Sequence, residues 1–245
     1  MNRTNVCFVS NVCFVSNVCF VSNVCFPLLM VLAVTPTVRG VEPSDALIEM
    51  FLETTAKAEA GDVNAQYKLA GLYSSGKGTA KSEVQAVKWY RRVAAQNDAR
   101  GQSMLGVMYT NARGVERDYD QAIVWFRKAA AQNSAHAKYN LGYMYSVGKG
   151  VASDQVQATE WYRRAAEQND AGSQRILGSR YAVGRGVDKD IVLAHAWTQV
   201  VLPRDGNVAK KQLVEIESQM TVDQIAAAKK AAEEIFARLT KPKTF

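Results

Sequence analysis

The sequence predicts an all-α fold, a solenoid superhelix of antiparallel helix pairs that repeats every 36 residues. Three observations carry that expectation. Leu69, Leu105, Leu141 and Leu177 stand 36 residues apart, as do Tyr73, Tyr109, Tyr145, Tyr181 and Trp89, Trp125, Trp161, Trp197. Gly78, Gly114, Gly150, Gly186 and Ala86, Ala122, Ala158, Ala194 keep the same spacing with no insertion between copies. Within each copy the apolar residues recur at helical intervals, with glycine in the middle of the copy and asparagine near its end. A helix pair this short cannot bury both of its apolar faces alone, so successive copies must stack.

The totals agree with a folded protein. The chain has 245 residues, 48% hydrophobic and 22% charged, long enough to bury a continuous core. Of its 30 Lys and Arg, Arg3 and Arg39 lie in the first 40 residues, which leaves 28 basic against 23 acidic residues, a net charge of +5. That mild excess suits an anionic partner. It is not gathered into a basic patch with a recognisable motif, so no nucleic-acid partner is expected.

Residues 1–40 form a segment of different composition. MNRT is followed by three copies of NVCFVS, one of NVCF, and then PLLMVLAVTPTVRG. An Arg near the amino terminus, an uncharged apolar stretch ending in Leu28–Val34, and small residues at Val38 and Gly40 describe a secretory signal cleaved before Val41. The charge-free run from Asn5 to Thr37 leaves an uncleaved membrane anchor as the alternative, although recurring Asn and Ser dilute it. Cys7, Cys13, Cys19 and Cys25 simply follow the period of this tract, which holds no His, so neither a metal site nor a disulfide framework is expected. Cleavage would leave a mature chain without cysteine, stable by packing alone.

Residues 41–62 predict a capping helix. Ser44 or Asp45 can cap its start, it runs to about Ala60, and Ala46, Leu47, Met50, Phe51 and Thr54 share one side. Phe51 to Lys57 lie one period before Val87 to Val93, so this helix takes the second-helix slot of a preceding half repeat. Full copies follow at 63–98, 99–134, 135–170 and 171–202. In the third, the first helix covers about Ala137 to Val147 and stops at Gly148-Lys149-Gly150, where glycine permits positive φ. Asp154 with Gln157 forms a capping box for the second helix, as do Ser82 with Gln85 and Asp118 with Gln121. Asn97, Asn133 and Asn169 close the second helices in the left-handed conformation. Leu141 and Tyr145 share a face, Gly142 lets a neighbour approach, and Ala158, Trp161, Tyr162, Ala165 and Ala166 span the opposing side, each Trp filling a gap left by alanines. Stacked copies give a right-handed superhelix. Residues 203–245 close it, with a first-type helix from Val208 to Gln219 and a final helix to about Leu239 opened by a Thr221/Gln224 capping box.

Leu141-Gly142-x-x-Tyr145, Gly148-Lys149-Gly150-Val151, Asp154, Ala158-x-x-Trp161-Tyr162 and Arg164-Ala165-Ala166 together resemble the Sel-one-like repeat, a relative of the tetratricopeptide repeat. The resemblance covers Val63 to Leu202 in four copies, and departs at Ala70, Thr79, Ala112, Thr198 and Leu202. It implies a solenoid whose first helices line a concave, protein-binding surface.

Several motifs with a chemical look are weaker than the repeat that contains them. Gly71-x-x-x-x-Gly76-Lys77 lacks the Ser or Thr of a phosphate loop and follows a helix where a strand is required. Ser74-x-x-Lys77 and Ser146-x-x-Lys149 match a penicillin-recognising nucleophile motif, but the other copies read Thr110 with Arg113 and Ala182 with Arg185, and companion motifs are absent. The two histidines, His136 and His195, support neither a triad nor a metal cluster; His195 reads as a packed second-helix residue and His136 as a turn residue. Lys77, Arg113, Lys149 and Arg185 read as charges complementing first-helix C-termini rather than as a grip on an acidic partner. Arg91, Arg127, Arg163 and Arg92, Lys128, Arg164 read as a solvated face, with Glu160 pairing Arg164.

Residues that vary between copies are the functional candidates. Opposite Leu141 and Tyr145 stand Tyr139, Tyr143 and Ser146, where the other copies carry Tyr67, Gly71, Ser74; Ser103, Val107, Thr110; and Arg175, Ser179, Ala182. Flanking positions are Lys68, Met104, Asn140, Ile176 and Ser75, Asn111. Tyr67, Lys68, Asn111, Tyr139, Asn140, Tyr143 and Arg175 are therefore the partner-binding candidates, with exposed tyrosines as anchors. The reading is a monomeric, non-catalytic, exported interaction module with a protein or peptide partner, no cofactor and no metal. A membrane enters only through an uncleaved N-terminal segment. The alternative is a secreted hydrolase of the penicillin-binding, cell-wall type. The cysteine-rich repeat proteins that suggest it carry a disulfide in each repeat, and this chain has none there.

Overall fold

The computed structural model describes residues 43–241, so the leader reading and all four cysteines lie outside the described residues. Among the described residues there are eleven α-helices and no strand. They are α1 (Pro43–Glu59), α2 (Val63–Ser75), α3 (Glu83–Ala95), α4 (Ala99–Asn111), α5 (Tyr119–Ala131), α6 (Ala135–Val147), α7 (Gln155–Ala166), α8 (Ala171–Val183), α9 (Ile191–Asp205), α10 (Asn207–Glu217) and α11 (Val222–Thr240). Each first helix (α2, α4, α6, α8) packs on the second helix of its own copy and on that of the copy before, α1 serving as the latter for α2.

Local chemistry sets the boundaries. Asp62, Asp98, Ser134 and Asp170 cap the first helices, and Ser82, Asp118, Asp154 and Asp190 the second, each accepting a bond from an otherwise orphaned backbone N–H. The capping boxes expected in the second helices are only half formed. Gln157 turns its amide to the Asp154 carboxylate (3.1 Å) instead of returning to the backbone. The box at Thr221 and Gln224 is complete, with bonds of 2.9 and 3.2 Å. Ser44 and Asp45 do not cap α1, because the helix begins at Pro43, whose fixed φ suits a first helical position and leaves Asp45 in the first turn. Asn97, Asn133 and Asn169 take φ of 59°, 68° and 68°, as their place at the second-helix ends predicts.

The loop glycines explain why copies stack in one register. At Gly114 φ is +68° and a Cβ would lie 2.3 Å from the carbonyl oxygen of Glu83, at the start of the preceding second helix. Gly78, Gly150 and Gly186 meet the carbonyls of Leu47, Tyr119 and Gln155 in the same way, at 2.2, 2.8 and 2.0 Å. These partners are themselves 36 residues apart, which places Leu47 of α1 on the repeat's own register.

The core runs through Leu69, Leu105, Leu141 and Leu177, all fully buried, with Met108, Met144 and the alanines facing them. One expectation about its aromatics is corrected. Trp89 and Trp197 are buried, but Trp125 and Trp161 are only half-buried, and the side chains that fill the interior are the next residues, Tyr90, Phe126 and Tyr162. The glycines at the centre of the first helices make room for them: a Cβ on Gly106 would lie 2.5 Å from the Phe126 ring, and one on Gly142 2.9 Å from Tyr162. Thr198, which takes this slot in the last copy, lies against Gly178.

Beyond the fourth copy the register persists. α10 buries Ala209, Leu213 and Ile216, one period after Ser173, Leu177 and Arg180, and α11 packs on α9 through Ala232 and Ile235.

Candidate interaction surface

The seven candidate residues stand on four separate helices and are less free than the sequence implied. Tyr67 is half-buried, edge-on to Tyr90 with ring centroids 5.7 Å apart, and beneath the Arg100 guanidinium at 5.1 Å. Tyr139 meets Tyr162 in the same way at 5.7 Å. Burial pushes the Tyr90 and Tyr162 phenols up to about 12, so both stay neutral partners for the rings that cover them. The Tyr143 hydroxyl accepts from Lys149 Nζ at 3.0 Å, and that bond holds the lysine above its usual pKa. Asn140 donates to the carbonyl of His136, one turn earlier, at 2.7 Å. Arg175 is exposed and pairs with Asp205 at 3.2 Å, while Lys68 and Asn111 are exposed. The tyrosines expected as exposed anchors are therefore half-buried. A ring on a first helix leans over the aromatic of its own second helix, because glycine or alanine at the first-helix centre brings the two helices close.

One charged ladder has partners across the copies and the other within its own helix. Arg91, Arg127 and Arg163 donate to the hydroxyls of Tyr109, Tyr145 and Tyr181, each 18 residues on, at 3.1, 3.0 and 3.2 Å. Arg92, Lys128 and Arg164 lie over Trp89, Trp125 and Trp161 at 4.3, 4.4 and 5.0 Å. The face is exposed as expected, only Arg163 being half-buried, and its Arg91, Arg127 and Arg163 ladder in addition ties one copy to the next. Glu160 does pair with Arg164, at 2.9 Å, and with Arg163. Of the charges assigned to first-helix ends, Arg113 instead pairs with Glu83 at 2.7 Å and donates to Ser74. Burial opposes the ionised form of Glu83, but its bond from Arg113 prevails and holds the carboxyl below its usual value. Neither Ser-x-x-Lys motif forms a nucleophile and base, since Ser74 is engaged by Arg113 and Glu83, and Lys149 by Tyr143.

His195 is fully buried, as its second-helix position predicts, and bonds Glu217 of α10 at 2.8 Å. His136 is not in a turn but in the first turn of α6, where Nδ1 lies 2.7 Å from the hydroxyl of buried Ser103. Among the described residues no His, Cys, Asp or Glu cluster could hold a metal, and no helix is long and apolar enough to cross a membrane.

Sequence reasoning missed a polar ladder that is itself periodic. Asn97 Oδ1 accepts from Gln102 and Gln132, Asn133 Oδ1 from Lys138 and Gln168, and Asn169 Oδ1 from Gln174 and Arg204. The asparagines and the positions of their donors stand at the 36-residue spacing, although the donors vary as Gln102, Lys138, Gln174 and Gln132, Gln168, Arg204, so the signal was available in the asparagines, which were read only as helix ends.

Comparisons with known proteins agree with this geometry. A family model described as Sel1 repeat matches residues 63–98, 99–134, 135–170 and 171–199. The chain is similar to a protective antigen of uropathogenic Escherichia coli displaying an SLR fold, with 36% identity and a TM-score of 0.69 over 83% of this chain, and spans 45% of that protein. It is also similar to a Sel1 repeat protein from Oxalobacter formigenes, with 31% identity, a TM-score of 0.67, and coverage of 78% of this chain and 79% of that one. No curated protein matches the chain. Four tandem matches laid over helix pairs that stack in one register place the chain in the Sel1 repeat family.

Proposed function

We propose that this chain is a non-catalytic interaction module that holds a protein or peptide segment along its first helices, and that it works outside the cytoplasm after export directed by residues 1–40. Sel1 repeats typically mediate protein–protein interaction. The observation that carries the reading to particular residues is a division of labour on the first helices. Leu141, Gly142 and Met144 of α6 are buried against the second helices on either side, whereas Tyr139, Asn140, Tyr143 and Ser146 keep partial exposure and do not recur as a set in any other copy. A surface whose framework repeats while its exposed residues do not is suited to recognising an extended, non-repeating partner. Half-buried tyrosines serve this role well, since packing has already restricted their rotamers and less entropy is lost on binding.

A photo-crosslinking amino acid placed at Lys68, Asn111 or Asn140 in the producing cell should capture one partner. The same group at Lys88, on the outer side of α3, should capture none. Equal yields at both sets of positions would reject the first-helix surface. Export is tested separately by the intact mass of the secreted chain, for which a species starting at Val41 is expected.

A further inference from the structure

One core position of the repeat carries a charge. Residues 72, 108, 144 and 180 are equivalent and read Leu, Met, Met and Arg. All four are buried, Arg180 with 5% of its surface exposed. A guanidinium in that slot has to be compensated. Among the described residues no carboxylate lies within ion-pair distance of it, and every partner it has is neutral. Nη1 donates to the carbonyl of Gln155 (3.2 Å), the hydroxyl of Thr159 (2.9 Å) and the carbonyl of Arg185 (3.3 Å), and Nη2 donates to Gln155 Oε1 (3.2 Å). Its remaining contact is the Tyr162 ring at 5.1 Å. None of these bonds uses Nε–H, and Nη2 makes only one. Burial pushes the Arg180 pKa below its usual value, with Tyr162 opposing and Arg185 adding to the depression.

Arg180 also borders a cavity of about 340 Å³ between α6 and α8. Arg185, itself exposed and without an ion pair among the described residues, lines the same cavity, as do the hydroxyl residues Ser146 and Ser179 and the apolar Ile176 and Val183. Ser146, Ser179 and Ile176 belong to the variable first-helix face, so the cavity opens on the surface assigned to the partner.

The geometry points to a carboxylate-binding pocket in the fourth repeat, in which Arg180 and Arg185 hold an acidic side chain or free C-terminus of the partner segment while Ile176 and Val183 pack against its aliphatic stem. A carboxylate is the anion that fits: its two oxygens can accept from the donor capacity left on Nε and Nη2, and a single negative charge balances the single buried cation, Arg185 being solvated. This rests on the interaction reading above, and names the chemistry of one residue of the partner.

The test titrates isotope-labelled protein with three short probes, acetyl-Leu-Glu-Leu-amide, acetyl-Leu-Gln-Leu-amide and acetyl-Leu-Leu with a free C-terminus, and follows the arginine Nε–H signals by NMR. Inorganic phosphate is the fourth arm. Saturable shifts of the Arg180 signal with the glutamate probe assign the pocket to acidic side chains, and with the free C-terminus to chain ends; the glutamine amide should bind at least tenfold more weakly. Arg180→Met, which restores the residue of the second and third copies, should keep the fold and abolish both responses. Phosphate binding without a carboxylate response, no response to any arm, or unchanged probe binding in Arg180→Met would overturn the pocket. Loss of the pocket and loss of the interaction reading are distinguishable. Crosslinking at Asn140 that survives Arg180→Met keeps the module without the pocket, whereas probe binding with no crosslinked partner keeps the pocket and rejects the module.

Discussion

Phe126 and Trp125 are neighbours in sequence with different environments, because consecutive residues on a helix point about 100° apart and only one of them faces the gap above Gly106. Phe126 is fully buried, whereas Trp125 is half-buried beneath Lys128. Phe126→Ala should therefore lower stability by about 3–5 kcal/mol and Trp125→Ala by clearly less, read by urea denaturation; the reverse order would refute the assignment of the core aromatic. A second pair of residues separates two uses of glycine. Ala112 holds φ at 55° where the other copies have Gly76, Gly148 and Gly184. An L-residue in that region is strained by about 1–2 kcal/mol, while glycine carries an unfolded-state entropy cost of about 0.4–1 kcal/mol, so Ala112→Gly should raise stability by roughly 0.5–1 kcal/mol. At Gly114 the left-handed strain is joined by a collision with the Glu83 carbonyl, so Gly114→Ala should cost about 2–5 kcal/mol and lower the melting temperature correspondingly.

At the scale of the helix, caps do more than begin the chain turn. Asp98 accepts from the backbone N–H of Arg100 at the start of α4 and also holds the Arg100 side chain at 2.7 Å. The Arg100 side-chain bond lowers the Asp98 pKa; burial opposes it and the backbone bonds assist. A folded-state pKa below the unfolded one contributes stability that is present above the unfolded value, about 3.9, and is lost as pH falls through the folded value. Asp98→Asn, which keeps a capping oxygen, should be less stable than the parent at pH 7, and the difference should shrink as pH falls below the unfolded value. A difference that stays constant over that range would assign the effect to helix capping alone. The second-helix cap at Asp154 works with half of its box: one carboxylate oxygen satisfies the backbone donor at the third helical position, and the Gln157 amide bonds the other.

Across the whole molecule, contact passes chiefly from each copy to the next, through the second helix of one and the first helix of its successor. Cooperativity therefore depends on the ties at each boundary. The asparagine ladder supplies one such tie, since Asn133 both ends α5 with φ of 68° and accepts from Lys138 and Gln168 of the following copy. Asn133→Gly preserves the backbone angle and removes the acceptor. It should cost about 1–3 kcal/mol and reduce the slope of urea unfolding, as the two sides of the boundary begin to unfold separately. A loss of stability with an unchanged slope would place the coupling in the apolar core instead.

The amino-acid sequence by itself determined the elements, their order and their register. Leucine, tyrosine, tryptophan and glycine at one spacing are a local record of a local demand: a helix of fixed length, a glycine where another backbone must approach, a cap where the N–H groups are free. It also marked the variable first-helix positions, because variation against a repeating framework is visible without coordinates. Depth and partnership were decided only in the tertiary structure. Periodicity gives the direction of a side chain around its own helix but not the distance to the next helix, so it could not rank Phe126 above Trp125. It could not show that Tyr67 and Tyr139 lean on Tyr90 and Tyr162 or that Arg127 reaches Tyr145 in the next copy. Arg180 is the clearest case. In sequence it is one more basic residue of a basic chain, and only the stacking of α8 on α7 makes it a buried charge beside an open cavity.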